Sequence, residues 1–311
     1  MNPAFSVIVF TTVAGAAQGL VVALALAALG EAMLAPTFTP RLLLLAAALL
    51  VIGLGASFLH LGRPERAWRA AAMWRSSWLS REVIVLPAFI GVVVLWWLAL
   101  RFAWPAAWTR VALPLAAIAV AALLWVCTAM IYACLRFIEE WAHPLTFVNF
   151  LLTGLASGFT LAAAAGALGG ERSFVAGVGA AALALTLVAW GSRMLALRRN
   201  AGLRHRSTLQ TATGIAAPRL VQTSMGMSAG SFNTREFFHR ASLAGLRRIR
   251  LTLVVLGFVA PALLAAIALS SGGALWWVLA VILQAFGLLA DRWTFFAQAK
   301  HPQNLYYQAV S

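Results

Sequence analysis

Eight apolar runs decide what this chain can fold into. They lie at about 5–30, 41–60, 82–101, 111–135, 146–169, 173–197, 251–270 and 274–296. Each is long enough to cross a hydrocarbon core of about 30 Å as a helix rising about 1.5 Å per residue. In lipid a backbone must satisfy its own hydrogen bonds, so runs of this length predict helices rather than open strands. Composition agrees. Of the 311 residues, 63% are hydrophobic and 10% charged, whereas a soluble domain is about a quarter charged. A soluble enzyme, a disordered chain and a disulfide-stapled secreted domain are thereby excluded. The opening Met1-Asn2-Pro3 lacks the basic region of a cleavable signal and the first run is too long for one, so that run is expected to stay as a membrane helix. The predicted fold is all-α, a single polytopic bundle of eight transmembrane helices over residues 1–311 with no fixed-period repeat.

Most connections between the runs are short. Two are not: 61–81, and a polar stretch from about 198 to 250 rich in Arg, Ser, Thr and Gly. Charge is lopsided, with 23 Lys+Arg against 8 Asp+Glu. Basic proteins can bind nucleic acid, but such proteins do not carry this much apolar sequence, and no nucleic-acid partner is expected. The cations instead sort by side. An even number of spans puts both termini on one face. That face holds 19 of the 23 cations, eleven of them arginines between Arg193 and Arg250, and the other holds Arg41, Arg101, Arg110 and Arg172. Cytoplasmic loops collect Lys and Arg. Both termini and the long loop are therefore expected in the cytoplasm, with the chain in the lipid of a bacterial inner membrane.

Cys127 and Cys134 stand seven apart in one run, about 10.5 Å along a helix axis and too far for a disulfide. Two thiols cannot hold an iron–sulfur cluster, which usually needs four, so any such cluster belongs to a partner. No histidine falls at the middle of a span and no run carries two, which argues against a pair of stacked b-type haems; no haem is expected. Ionisable groups beside membrane spans are functional candidates by default. Here His60, Glu82, Glu139, Glu140, His143 and Asp291 gather on the arginine-rich side, with His205, His239 and His301 in its loop and tail segments.

Taken singly, these residues have plainer readings. His60 precedes Leu61-Gly62 and can satisfy last-turn carbonyls. Glu82 follows Ser80, an N-cap type, as a first-turn acid would. Glu139 and Glu140 read as a solvated helix end, and Trp68, Trp74, Trp78, Trp141 and Trp293 as an interfacial aromatic belt. The combination says more. His60-Leu-Gly-Arg63-Pro-Glu-Arg66-Ala-Trp68, followed by Trp78-Leu-Ser-Arg81-Glu82, sets an ionisable ring, a tight turn, cations and an aromatic slot at the membrane surface. A headgroup that takes up electrons and protons needs a donor for a carbonyl oxygen, a proton carrier and such a slot. Histidine and glutamate can serve both of the first two needs, because local fields shift their pKa readily. This is the physical case for a quinone site, with the isoprenoid tail between apolar helices.

The stretch Ser57-Phe-Leu-His60-Leu-Gly-Arg-Pro64-Glu-Arg66-Ala, with Glu82 in Ser80-Arg-Glu-Val, resembles the segment after the second helix of the membrane-anchor subunit of dimethyl sulfoxide reductase. Tyr132-Ala-Cys-Leu-Arg136 and Thr146-Phe-Val-Asn149-Phe match as well. Gln222 to His239 and Asp291 to Tyr307 look closest to one branch of that family, the membrane subunits of cytoplasmic sulfite-oxidising molybdoenzymes. The resemblance implies an eight-helix anchor without haem that exchanges electrons between quinone (ubiquinone or menaquinone) and a partner's iron–sulfur cluster. It implies two partners, a four-cluster iron–sulfur subunit and a molybdopterin catalytic subunit, and no molybdenum site in this chain. His60, Gly62, Arg66 and Glu82 match the family's quinone-region pattern. His60 and Glu82 would carry the chemistry, and Gly62, Arg66, Trp68 and Arg81 would complete the binding set. Arg63 departs from a small polar residue and Trp68 from a phenylalanine.

The arginine-rich face carries both the quinone-like segment and the long loop, which fits the sulfite-oxidising branch with its cytoplasmic catalytic subunits. The loop from about 208 to 250 is expected to grip the iron–sulfur subunit through Phe232, Phe237, Phe238, Arg235 and Arg240 beside the Gly-containing run Met225-Gly-Met-Ser-Ala-Gly-Ser. Its plainer reading is a basic loop on anionic lipid. The alternatives for the whole chain are a quinol-oxidising anchor of a sulfoxide or polysulfide reductase, a passive scaffold, and a secondary transporter, which the lack of mid-span polar groups disfavours.

Overall fold

A computed structural model describes residues 1–59, 63–224, 226, 230, 232–239 and 241–307. Among the described residues there is no strand, and eight helices are long and apolar enough to cross a membrane. They are α1 (Phe5–Leu29), α2 (Phe38–Phe58), α3 (Trp78–Arg101), α4 (Ala107–Ala133), α5 (Pro144–Gly169), α6 (Arg172–Ala201), α7 (Leu243–Ser271) and α8 (Ala274–Ala297). The chain is an all-α polytopic membrane bundle.

In a membrane an apolar helix face is covered either by lipid or by other helices, and the innermost helix is the one covered mostly by helices. That is the position of α1, which packs against α2, α4, α5 and α8. Its crossing with α5 is made by Gly15 and Gly19 against Gly154 and Gly158, where a Cβ at Gly158 would run into the backbone of Gly19 and Leu20. Lipid tails are as apolar as leucine, so helices gain there by close backbone approach and dispersion contact rather than by burial from water. Helices α2, α3 and α4 pack in series on one flank, and α6, α7 and α8 form the other.

The two ends of the bundle differ. At one end the connections are short, at 30–37, 102–106, 170–171 and 272–273. At the other lie 134–143, the described parts of 59–77 and 202–242, and those of both terminal segments. The Met1 amine donates to the carbonyl oxygens of Ala297 and Ala299, at 3.1 Å each. The Asn2 amide donates to the Glu236 carbonyl at 2.8 Å. The long loop is laced to the chain's own tail. Gln222 Nε2 donates to the Tyr306 carbonyl (2.8 Å), the Tyr306 hydroxyl to the Ala212 carbonyl (2.9 Å), and Asn304 Nδ2 to the Phe237 carbonyl (3.2 Å).

The edges of two elements depart from the sequence expectation. Helix α7 starts at Leu243 behind a Ser242 cap, not at about 251, because Arg247, Arg248 and Arg250 lie on its exposed side. The long connection is correspondingly shorter and holds short helices at Leu209–Thr213 and Phe232–Glu236. The Gly-containing run at 225–231 lies largely outside the described residues. Arg193 and Arg292, which the sequence pattern groups with the loops and tail, are buried within α6 and α8.

Candidate functional site

The approach to α3 is a 3-10 helix, Pro64–Met73, entered through Pro64. Ser77 is the N-cap, its hydroxyl accepting the Ser80 amide at 3.3 Å. The cap is therefore not Ser80, which is itself buried in the first turn. This changes the reading of Glu82. It lies past the first turn, is only 5% exposed, and no acid occupies the first turn at all. A first-turn acid stabilised in water by the helix dipole is not what the structure holds. The Glu82 side chain instead faces α4, where its Oε1 accepts the Thr128 hydroxyl.

Thr128 also lines a water-sized chamber of about 10 Å³ between α1 and α4, bounded by Thr11, Gln18, Trp125 and Phe150. Trp125 Nε1 is buried with no hydrogen-bond partner among the described residues. One turn below Thr128, Tyr132 sits in an aromatic box. It stacks on Phe150 (centroids 5.8 Å apart) and meets Trp141, Phe295 and Phe296 edge-on. The arrangement brings together a buried carboxyl, a hydroxyl that donates to it, an indole N–H with no partner among the described residues, and rings that provide flat apolar walls.

Of the other expected site residues, the described ones, Arg66, Trp68 and Arg81, make no contact with the Glu82 carboxyl. His60 and Gly62 lie outside the described residues. Arg66 and Trp68 are at the surface of the 3-10 helix, Trp68 at 74% exposure and Arg66 4.0 Å from its neighbour Glu65. Arg81 turns back. Its guanidinium donates to the carbonyls of Trp74 (2.9 Å) and Arg75 (2.8 Å) and lies 4.1 Å over the Trp78 ring, tying the loop to the start of α3. Two further readings are corrected. Glu140 is buried, 3.5 Å from His205 Nε2, and is no solvated helix end. Trp141 is buried too, donating its indole N–H to the Phe295 carbonyl at 2.9 Å, and so does not belong to the interfacial belt.

Two arrangements carried no local sequence signal. The first is a buried ion pair between Arg193 of α6 and Asp291 of α8, beside Arg292, which donates to Thr153 at 2.7 Å and lies 3.8 Å over Phe150. The pair joins two helices, and the runs that contain Arg193 and Asp291 do not say which faces meet. The second is a cavity of about 670 Å³ at the arginine-rich end, walled by Phe137, Phe237, Phe238, His239, Lys300 and His301 among others. Its walls come from five distant segments, which no local pattern relates. His239 and His301 titrate below the usual histidine value, mainly because burial disfavours the charged ring. Among the described residues no group of three or more His, Cys, Asp or Glu could hold a metal ion.

Comparison with known proteins bears on the whole chain. The profile of the DMSO reductase anchor subunit family (DmsC) matches residues 1–296. A sulfite dehydrogenase subunit of Allochromatium vinosum is 49% identical over 330 residues, with 100% of both chains covered.

Proposed function

The chain belongs to the DMSO reductase anchor subunit family, and on that premise we propose that it is the quinone-reactive membrane subunit of an oxidoreductase complex. In this reading it passes electrons from a partner's iron–sulfur cluster to membrane quinone during sulfite oxidation. The name of the Allochromatium vinosum relative supports the sulfite reaction. The partners are then a four-cluster iron–sulfur subunit and a molybdopterin catalytic subunit. The cation asymmetry supports docking on the cytoplasmic side of a bacterial inner membrane, with both termini on that side.

The observation that carries the quinone assignment is Glu82, a carboxyl buried between α3 and α4 with a neutral hydroxyl as its partner. A carboxyl in hydrocarbon costs free energy and is retained where it works. A quinone supplies the acceptor of electrons and protons. Glu82 supplies and returns a proton at its carboxyl oxygens, and Thr128 fixes the direction in which that carboxyl points. Trp125 Nε1, a buried donor with no partner among the described residues, borders the α1–α4 chamber and is suited to a single water there. Arg81 acts at one remove, holding 74–75 against the start of α3 so that the loop closes over this end. Any headgroup must enter from the loop side, since the α1–α4 chamber itself holds no more than about one water.

The test is Glu82→Gln in the purified complex. Quinone-coupled turnover should fall by about 100-fold, the low end of general acid–base contributions, while turnover with a soluble artificial acceptor stays within about twofold. Unchanged coupling to quinone would overturn the assignment.

A further inference from the structure

The cavity of about 670 Å³ at the arginine-rich end has a chemistry that the quinone reading does not use. Its apolar walls are Phe137, Phe237 and Phe238. Phe237 stacks on His301 with centroids 4.3 Å apart, and Phe137 meets the same ring edge-on at 5.4 Å. The two imidazoles are oriented by backbone. His239 Nδ1 accepts the Ala241 amide (3.1 Å) and His301 Nδ1 accepts the Gln303 amide (3.2 Å). A ring whose Nδ1 accepts carries its proton on Nε2, so each presents Nε2–H as its remaining donor. Lys300 lines the cavity, and Arg136, Arg204 and Arg206, each next in sequence to a lining residue, are exposed at the same end. Glu139, the acid in the wall, is already engaged by the Arg206 amide at 2.9 Å. Apolar rings in the walls, with imidazole donors and a lysine beside them, call for an occupant that joins an apolar group to hydrogen-bond acceptors.

Where such an occupant comes from follows from the fold. The opposite end of the bundle has only short connections and offers no comparable surface. A soluble subunit that docks on this anchor therefore docks on the end that holds the cavity, where an acidic facing surface complements Lys300 and the exposed arginines of that end. We propose that the cavity is the socket for the electron-transfer subunit, receiving an aromatic or aliphatic side chain flanked by carboxylates. Interfaces are anchored by a few such side chains in desolvated pockets, with charged neighbours at the rim. The long loop then acts by building one wall of the socket against the chain's own tail, rather than by reaching out alone. This rests on the anchor reading but not on quinone chemistry at Glu82.

The experiment uses the intact complex. A photoreactive benzoylphenylalanine replaces Phe238, an aromatic for an aromatic, and the irradiated complex is digested and analysed by mass spectrometry. The expected product joins position 238 to a segment of the electron-transfer subunit that holds Asp or Glu beside an apolar residue. In parallel, Lys300→Glu should raise the dissociation constant of the soluble subunits by about tenfold or more, with the effect fading at high salt. Adducts confined to lipid, to a small molecule or to this chain's own residues 297–305 would overturn the socket. So would unchanged affinity for Lys300→Glu at low salt. Because both readouts measure docking without quinone, a misplaced quinone site would leave them untouched.

Discussion

Glu82 and Asp291 are buried carboxyls on different helices, and their partners give them different work. Asp291 is matched by the guanidinium of Arg193. Removing one member of such a pair strands a charge in a dry interior, so Asp291→Asn should destabilise the chain by about 3–5 kcal/mol, read as a lower unfolding midpoint in detergent. The double change Arg193→Met with Asp291→Leu should recover most of that loss, since apolar replacement of a whole buried pair is often neutral. Among the described residues Glu82 has only the Thr128 hydroxyl. Thr128→Val should cut quinone-coupled turnover by about tenfold, the equivalent of one hydrogen bond, and Thr128→Ser should restore it. Equal rates for the Val and Ser forms would show that the hydroxyl does not orient the carboxyl. At this scale sequence patterns marked Glu82 as a candidate but misjudged its setting. Ser77 and Ser80 are both good caps by type, and only the backbone turn at Ser77 decides between them. Thr128, Trp125 and Tyr132 stand on another helix from Glu82, and pairing across helices is not written in local spacing.

The helices themselves were legible because lipid imposes a length and an apolar surface on each. Their edges were less so. Arg247, Arg248 and Arg250 read as loop yet sit on α7, because long cationic side chains can extend into water from a helix that has already begun. The closeness of α1 and α5 also has a testable consequence. Gly158→Ala places a methyl against the backbone of Gly19 and Leu20. Overpacking of this kind should cost about 1–3 kcal/mol and lower the yield of folded protein, whereas Gly91→Ala, in open space on α3, should change little. The tail element answers to pH. Burial lowers the pKa of His239 and His301, so below the usual histidine value of about 6.5 the folded state binds fewer protons than the unfolded one. Stability rises with pH where the unfolded state binds more protons. The packing of the tail on the loop is therefore complete at neutral pH and weakens as pH falls. Limited proteolysis within 298–307 should be faster at about pH 5 than at about pH 7.5, and a pH-independent rate would count against this packing.

Across the whole molecule, the same asymmetry appears in charge and in architecture. The end with the long connections and both terminal segments is the end with the arginines. Setting aside the buried Arg193 and Arg292 does not reverse the bias, because the opposite end still holds only Arg41, Arg101, Arg110 and Arg172. Reporter fusions near Gly214 should behave as cytoplasmic and those near Gly272 as periplasmic. The reverse pattern would move the docking face to the other side of the membrane. What no sequence pattern foretold is the cavity, which exists only because segments more than a hundred residues apart meet at this end.

In the proposed function, quinone meets this chain where α3 begins and α4 ends, beside Glu82 and Thr128. The most direct measurement is photolabelling of the purified complex with an azido-quinone, with competition by the unmodified quinone. Competable label should appear in peptides holding Glu82 or Thr128, and fall away in Glu82→Gln. Competable label confined to a partner subunit, to the short-loop end of the bundle or to the cavity peptides around His239 and His301 would contradict it.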